Sequence, residues 1–191
     1  MKVKVIGEYG YEQALFGLGL SHGKTSHLEF SEFIYETGAN IFDTLTVVAK
    51  NLVDKDCGHN KFMRQICVWL DIDTPPKTWS EFDTYKVGTV TQSESTMHTL
   101  GKIPLTQEDF EYPIRQSTLD DFNSDSVLYD TTIWQVKNRL PEGFLQRRIV
   151  SLNYQVLREV IKQRANHRLP QWKILINELK KQLEHPELLP F

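Results

Sequence analysis

The sequence predicts a mixed α/β domain of the α+β kind, and three stretches carry that prediction. From Ile66 to Ile72 the chain is a dense run of branched and aromatic residues closed by Thr74-Pro75-Pro76, which suits a central strand ending in a turn. Met1 to Ile6 alternates apolar and polar residues about Val3 and Val5, as an edge or half-buried strand does. In the last third, Leu145, Ile149, Leu152, Val156 and Val160 follow at helical spacings of three and four, with Leu157 and Ile161 widening the stripe. Pro141-Glu142-Gly143 reads as the start of that helix. A second helix is expected from Pro170, with Trp172, Leu175, Ile176, Leu179 and Leu183 on one face. The two make a C-terminal helical hairpin joined by the residues from Arg164 to Leu169.

The remaining elements follow in order. Gly10 to Leu20 is expected as a helix ending near its glycines, and Ser21 to Ser31 as a polar loop with His22 and His27 in solvent. Leu45, Val48 and Leu52 predict a helix over Phe42 to Leu52, with Lys50 near its C-terminal end. Trp79 to Val90 reads as a short helix or an irregular approach to the loop from Ser93 to His98. Residues 101–130 are acidic, rich in Pro, Thr, Ser and Asp, and lack periodicity, so a long connection or flap is expected there. Asp71 and Asp73 are read as a solvated strand face, and Arg147-Arg148 as a solvated helical face.

Composition bounds the function. The 191 residues suit one domain of ordinary size, 1–191, or one domain with an appended arm. Hydrophobic residues make up 40% and charged ones 25%, which is a globular balance. A formal net charge of -3 gives no support to general attraction to nucleic acid or to a membrane surface, so any anion it holds must be gripped by a local pocket. No apolar run reaches the length of a membrane span, and the first residues open like a strand rather than a signal peptide. A cytoplasmic location is therefore expected. Cys57 and Cys67 are too few for a disulfide framework and suit a reducing compartment.

Two groups of residues carry chemistry. The first holds Gly58-His59-Asn60-Lys61-Phe62, the apolar run to Leu70, Phe82-Asp83-Thr84-Tyr85-Lys86 and Ser93-Glu94-Ser95-Thr96-Met97-His98. The second holds Lys137, Leu140-Pro141, Asn153, Arg164 and Gln171-Trp172. Asn153 and Arg164 lie eleven residues apart, about three helical turns, so on one helix both would face the same way. In this order the stretches resemble the flavin-dependent thymidylate synthases, over roughly half of the chain. The family's Arg-His-Arg triplet aligns with Thr84-Tyr85-Lys86, and its Ser-x-Arg-Tyr ending with Ser95-Thr96-Met97-His98, with one residue inserted between. Only Lys86 keeps a positive charge, and Thr84 and Met97 cannot replace an oxyanion-binding fork. What remains is rich in hydroxyls: Thr89, Thr91, Ser93, Ser95 and Thr96, with Gln92, can bind phosphate oxygens or sugar hydroxyls through neutral hydrogen bonds.

The resemblance implies a central sheet with flanking helices, a homotetramer, FAD as cofactor, and NADPH and methylenetetrahydrofolate as co-substrates. The reaction would place a one-carbon unit on C5 of dUMP, giving dTMP. Cofactor-binding roles fall to His59, Lys86 and Asn153, and nucleotide contacts to Ser93, Ser95, Lys137 and Arg164. Arg164 would polarise the uracil and count as catalytic. Glu159 replaces a flavin-side asparagine. The reaction needs no cysteine nucleophile, and neither cysteine lies in a Cys/His constellation. Trp69, Trp79, Trp134 and Trp172 are expected in core or interface.

Plainer readings stand beside these. His59 could be a local cap, the Ser/Thr stretch a polar turn, Asn153 an exposed helix residue and Arg164 a charge at a helix C-terminus. Three functional alternatives also stay open: a pyrimidine hydroxymethylase with an altered substrate, a flavin-free nucleotide-binding or regulatory oligomer that keeps the fold, and a metal site from Cys57, His59 and Cys67, ranked last because its spacing matches no familiar zinc pattern.

Overall fold

A computed structural model describes residues 1–35, 38–55, 58–100, 102–127 and 133–191. The chain runs β1 (Lys2–Tyr9), α1 (Tyr11–Ser21), α2 (Phe30–Tyr35), α3 (Gly38–Leu52), a 3₁₀ turn over Lys61–Arg64, β2 (Cys67–Thr74), α4 (Pro76–Phe82), β3 (Thr89–Ser93) and α5 (Thr96–Thr99). A second 3₁₀ turn over Gln107–Asp109 follows, then α6 (Gln116–Val127), α7 (Ile133–Arg139), β4 (Gln146–Asn153), α8 (Tyr154–Arg164), α9 (Pro170–Gln182) and a last 3₁₀ turn over Pro186–Leu188. The strands form one antiparallel sheet in the order β1-β2-β4-β3, so the fold is mixed α/β as the sequence predicts, with β2 at an internal position. Along β2, buried Val68, Leu70, Ile72 and Thr74 alternate with more exposed residues, the period-two signature of a strand with one covered face. Among the described residues no helix is long and apolar enough to cross a membrane.

The largest departure from expectation lies between Leu145 and Asn153. Leu145, Ile149 and Leu152 sit at helical spacing, yet Gln146–Asn153 is strand β4, with Val150 and Leu152 buried two apart. Hydrogen bonding to neighbouring strands outweighs a helical pattern in a segment that also reads at period two. The helix begins only after Asn153, whose backbone is extended (φ -101, ψ 166) and whose Oδ1 accepts the Val156 N–H at 3.0 Å. That is an N-cap, and it marks the helix start that Pro141 does not. Asn153 therefore does not lie on a common helical face with Arg164, and Arg147 and Arg148 lie on a strand.

The 101–130 segment carries the 3₁₀ turn over Gln107–Asp109 and helix α6. A reciprocal capping box between Thr106 and Asp109 holds the turn, and buried Leu119 and Phe122, three residues apart, seat the helix. Its polar remainder masked this short apolar stripe. Helix α4 starts at Pro76, because proline at the first helical position gives up no hydrogen bond. Phe30 and Ser31, read as the margin of a loop, open α2.

The chain divides into two compact units. The first comprises Met1–Val3, Asp71–Thr84 and Thr91–Val150. Here Trp79 is buried, meets Phe82 edge-on at 5.6 Å and donates its indole N–H to the Gln146 carbonyl at 2.8 Å. The Arg148 guanidinium lies 4.4 Å over the Trp79 ring and pairs with Asp83 at 3.0 Å. Arg147 forks onto Asp71, so Asp71 belongs to a bidentate ion pair and not to a freely solvated face. Asp73 is half-buried, and burial pushes its carboxyl up despite the nearby Lys2 ammonium.

The second unit comprises Lys4–Leu70, Tyr85–Val90 and Ser151–Phe191. Its core gathers Leu15, Phe33, Leu45, Met63, Ile66, Leu157, Ile161, Trp172 and Leu175. Phe16, Phe30, Phe33 and Phe42 form an aromatic cluster at centroid separations of 5.4 to 6.4 Å. Tyr154 is fully buried, its hydroxyl donating to Glu8 Oε1 at 2.7 Å, while Glu8 Oε2 accepts the Glu184 N–H at 2.9 Å. On β1, the Val5 N–H donates to the side-chain carbonyl of Gln182 at 2.9 Å. Trp79 and Trp172 are core residues, whereas Trp69 and Trp134 are exposed.

Candidate functional site

In the second unit the most organised cluster surrounds Arg164 at the end of α8. Its Nε donates to the Tyr85 hydroxyl at 2.9 Å, and that hydroxyl donates to Gln163 Oε1 at 3.1 Å. The guanidinium lies 4.8 Å from the centroid of the fully buried Trp172 ring and 5.5 Å from that of Tyr85. Tyr85 and His167 each meet Trp172 edge-on at 6.3 Å. One charge bonded at Nε and flanked by two aromatic rings is a preset cation, worth roughly 0.5–1 kcal/mol per ring at a partly exposed place. Arg164 is half-buried, more enclosed than a solvated charge at a helix end.

Asn153 and Gly88 meet beside the start of the same helix. Gly88 has φ +78, and a Cβ built on it would stand 3.0 Å from Val156 Cγ2 and 3.2 Å from Asn153 Nδ2. Glycine is required there for both conformation and space. The cap takes Asn153 Oδ1, so the amide nitrogen is the atom turned towards Gly88. Lys86, two residues earlier, is exposed. Arg158, only 2% exposed, pairs with Asp54 and with Glu159 at 3.0 Å, which ties up the Glu159 carboxylate.

His59 lies in the wall of a cavity of about 580 Å³ within this unit. Leu18, Leu20, Leu52 and Phe62 supply apolar wall, and His22, His59, Lys61 and Gln65 supply polar groups. Gly58 opens it with φ +86 and nothing within 4 Å of where a Cβ would stand. His22, exposed as expected, thus also lines a recess. Cys57 lies outside the described residues, and among the described residues no group of His, Cys, Asp and Glu could hold a metal ion.

Ser93, Ser95 and Lys137 belong to the first unit. Ser93 ends β3, Ser95 precedes α5 with its carbonyl accepting from His98 and Thr99, and Lys137 lies on α7; all three side chains are exposed. A second cavity of about 460 Å³ in this unit is lined by Asp73, Glu94, His98, Lys2 and Lys102. Of the residues named from the sequence, the structure brings Asn153 to Gly88 and Arg164 to Tyr85 and Trp172.

No family model and no curated protein matches the sequence. Solved structures do match. Thymidylate synthase X (ThyX) from Helicobacter pylori, solved with FAD and dUMP, superposes with a TM-score of 0.71 over 99% of this chain and 97% of that one, at 14% identity. A second crystal structure of the flavin-dependent enzyme from the same organism, complexed with FAD and dUMP, gives 0.72 over 99% and 98%, again at 14% identity. The fold is that of a flavin-dependent thymidylate synthase. Such overlap at such low identity means that the backbone arrangement is kept while the side chains on it have largely changed.

On that thymidylate synthase fold, the residues that sequence reasoning left without a role are Tyr85, Gln163 and the cavity group of His22, Lys61 and Gln65. In the sequence, Tyr85 stands only as one residue of the segment Thr84-Tyr85-Lys86. No local pattern pairs it with Arg164, 79 positions away. An isolated aromatic beside the triplet's single remaining cation was the available signal.

Proposed function

We propose that this protein binds FAD and a pyrimidine nucleotide and places a one-carbon unit on C5 of the base, converting dUMP to dTMP or making a related modification. Methylenetetrahydrofolate would give the carbon and NADPH the reducing equivalents. The observation that carries this reading is the preset guanidinium of Arg164 in a thymidylate synthase fold. Both Helicobacter pylori structures were solved with FAD and dUMP, which makes those two ligands the first to try.

The donor set fits a flavin nucleotide. The cavity beside His59 offers apolar wall for a ring and imidazole, ammonium and amide groups for polar substituents, and Gly58 leaves its mouth without a side chain. His59, Lys86 and Asn153 would hold the cofactor, with Asn153 keeping its Oδ1 on the helix and offering its amide N–H. When bound, the flavin supplies the hydride that reduces the transferred carbon. Arg164 would bind the pyrimidine edge and stabilise the negative charge that develops on the ring as C5 becomes nucleophilic. The buried Trp172 ring 4.8 Å away shields the guanidinium from water on one side and so strengthens its field. Ser93, Ser95 and Lys137 would contact the nucleotide through hydroxyls and one ammonium. The proposed assembly is a homotetramer, for which exposed Ile6, Trp69 and Val90 provide apolar contact surface.

A flavin-free nucleotide-binding protein is the second reading, and one observation favours it. Thr84 Oγ1 donates to the Glu81 carbonyl at 2.7 Å and the Tyr85 hydroxyl serves Arg164, which leaves Lys86 as the segment's ionic group. The visible absorption spectrum of purified, FAD-treated and desalted protein separates the two. A retained flavin band that bleaches with NADPH supports the first, and no retained flavin would defeat it.

A further inference from the structure

We infer that Tyr85 is the positioning residue for Arg164, so that the segment aligned with the family's basic triplet acts through this guanidinium instead of gripping phosphate itself. The inference rests on the reading of Arg164 as the group that meets the pyrimidine. Two hydrogen bonds of the phenol end on one turn of α8: it accepts from Arg164 Nε at 2.9 Å and donates to Gln163 Oε1 at 3.1 Å. A hydroxyl has one proton to give, and donation to Gln163 fixes the lone pairs towards Arg164. Because the N–H groups of a guanidinium are coplanar, a bond at Nε sets the plane of the whole fork. The Trp172 ring limits the remaining tilt from 4.8 Å, and Tyr85 itself is held edge-on to that ring at 74°. The arginine thus meets its ligand already ordered, and the entropy of fixing a long side chain does not fall on the binding step.

The discriminating variant is Tyr85→Phe, which keeps the ring against Trp172 and removes only the oxygen. Arg164→Met keeps an unbranched stem as far as the position of Nε and removes charge and donors. Binding of dUMP to wild type, both single variants and the double variant is read by quenching of tryptophan emission, alongside ¹⁵N–¹H spectra of the arginine Nε–H groups. Tyr85→Phe is expected to weaken dUMP about 10-fold, the lower end of what a hydrogen bond to a charged group contributes, with flavin retention unchanged. In the Arg164→Met background the same change is expected to have no further effect, and the Arg164 Nε–H signal should exchange with water faster in Tyr85→Phe. An equal loss in both backgrounds, or an Nε–H as protected in Tyr85→Phe as in wild type, overturns the inference. If the wild type does not bind dUMP, the nucleotide reading falls, and the Nε–H spectra still decide whether Tyr85 holds Arg164.

Discussion

Replacing Tyr154 by Phe removes one oxygen from a buried network whose members are all defined. The hydroxyl donates to Glu8 Oε1 at 2.7 Å and accepts the His185 backbone N–H, and the Glu8 side chain is 1% exposed. His185 stacks on Tyr11 at 3.4 Å and lies 3.9 Å from the same carboxylate. A hydrogen bond to a charged acceptor contributes about 1.5–3 kcal/mol, and the stranded His185 N–H adds roughly 1 kcal/mol, so the variant should lose about 2–4 kcal/mol. For a chain of this length that is a fall in Tm of about 5–12 °C. Burial and the Glu8 charge hold the Tyr154 phenol well above its ordinary value of 10.0, which fixes the sign of the pH dependence. The stability from keeping that proton is complete below pH 10.0 and is lost as pH rises, because the unfolded tyrosine ionises while the folded one does not. Each pH unit above that point removes about 1.4 kcal/mol. Urea unfolding at pH 7 and between about pH 10 and 11 measures both effects. A variant within about 0.5 kcal/mol of wild type at pH 7, or one with an undiminished alkaline slope, would refute the reasoning.

Three further outcomes are expected. Burial raises the Asp73 carboxyl, so its ionised form opposes folding above the ordinary value of 3.8; Asp73→Asn should raise Tm at pH 7, and the gain should vanish as pH falls towards that value. Gly88→Ala forces φ +78 on a Cβ crowded by Val156 and Asn153 and should lower stability by about 1–3 kcal/mol in urea titrations; an unchanged midpoint would mean the turn relaxes freely. Asn153→Ala should cost about 1 kcal/mol through the lost cap, whereas Asn153→Asp keeps the cap and sets a negative charge where the flavin is proposed. Desalting and absorbance then test the site: an Asn153→Asp protein that retains FAD as well as wild type removes Asn153 from the cofactor set.

Elements with a single consistent period were legible in the sequence. The alternation in β1, the apolar run of β2 and the stripes of α3 and α9 each admit one reading, and the structure places a strand or helix at each. The segment from Leu145 to Leu152 satisfies both periods, and only pairing within the sheet decides between them. Residues near Leu119 and Phe122 carry too little apolar surface to stand out from an acidic stretch, yet two buried positions are enough to seat α6. At the candidate site, Asn153 and Arg164 are named through the resemblance, and the helical spacing that links them fails because Asn153 caps α8 instead of lying on it. The Tyr85 bond to Arg164 and the His22 edge of the cavity depend on chain segments that meet only after folding.

The Gln182 side chain has a role beyond holding one strand. β1 is an outer strand of the sheet, and an outer strand offers bare amides on which a strand from another molecule can build. At Val5 that position is already filled by a carboxamide, itself fastened by its nitrogen to Glu178 at 3.0 Å. The chain therefore carries a one-residue imitation of a neighbouring strand on the face of α9, and β1 cannot be extended through Val5 without displacing it. The opposite edge is protected by brevity, since β3 has five residues.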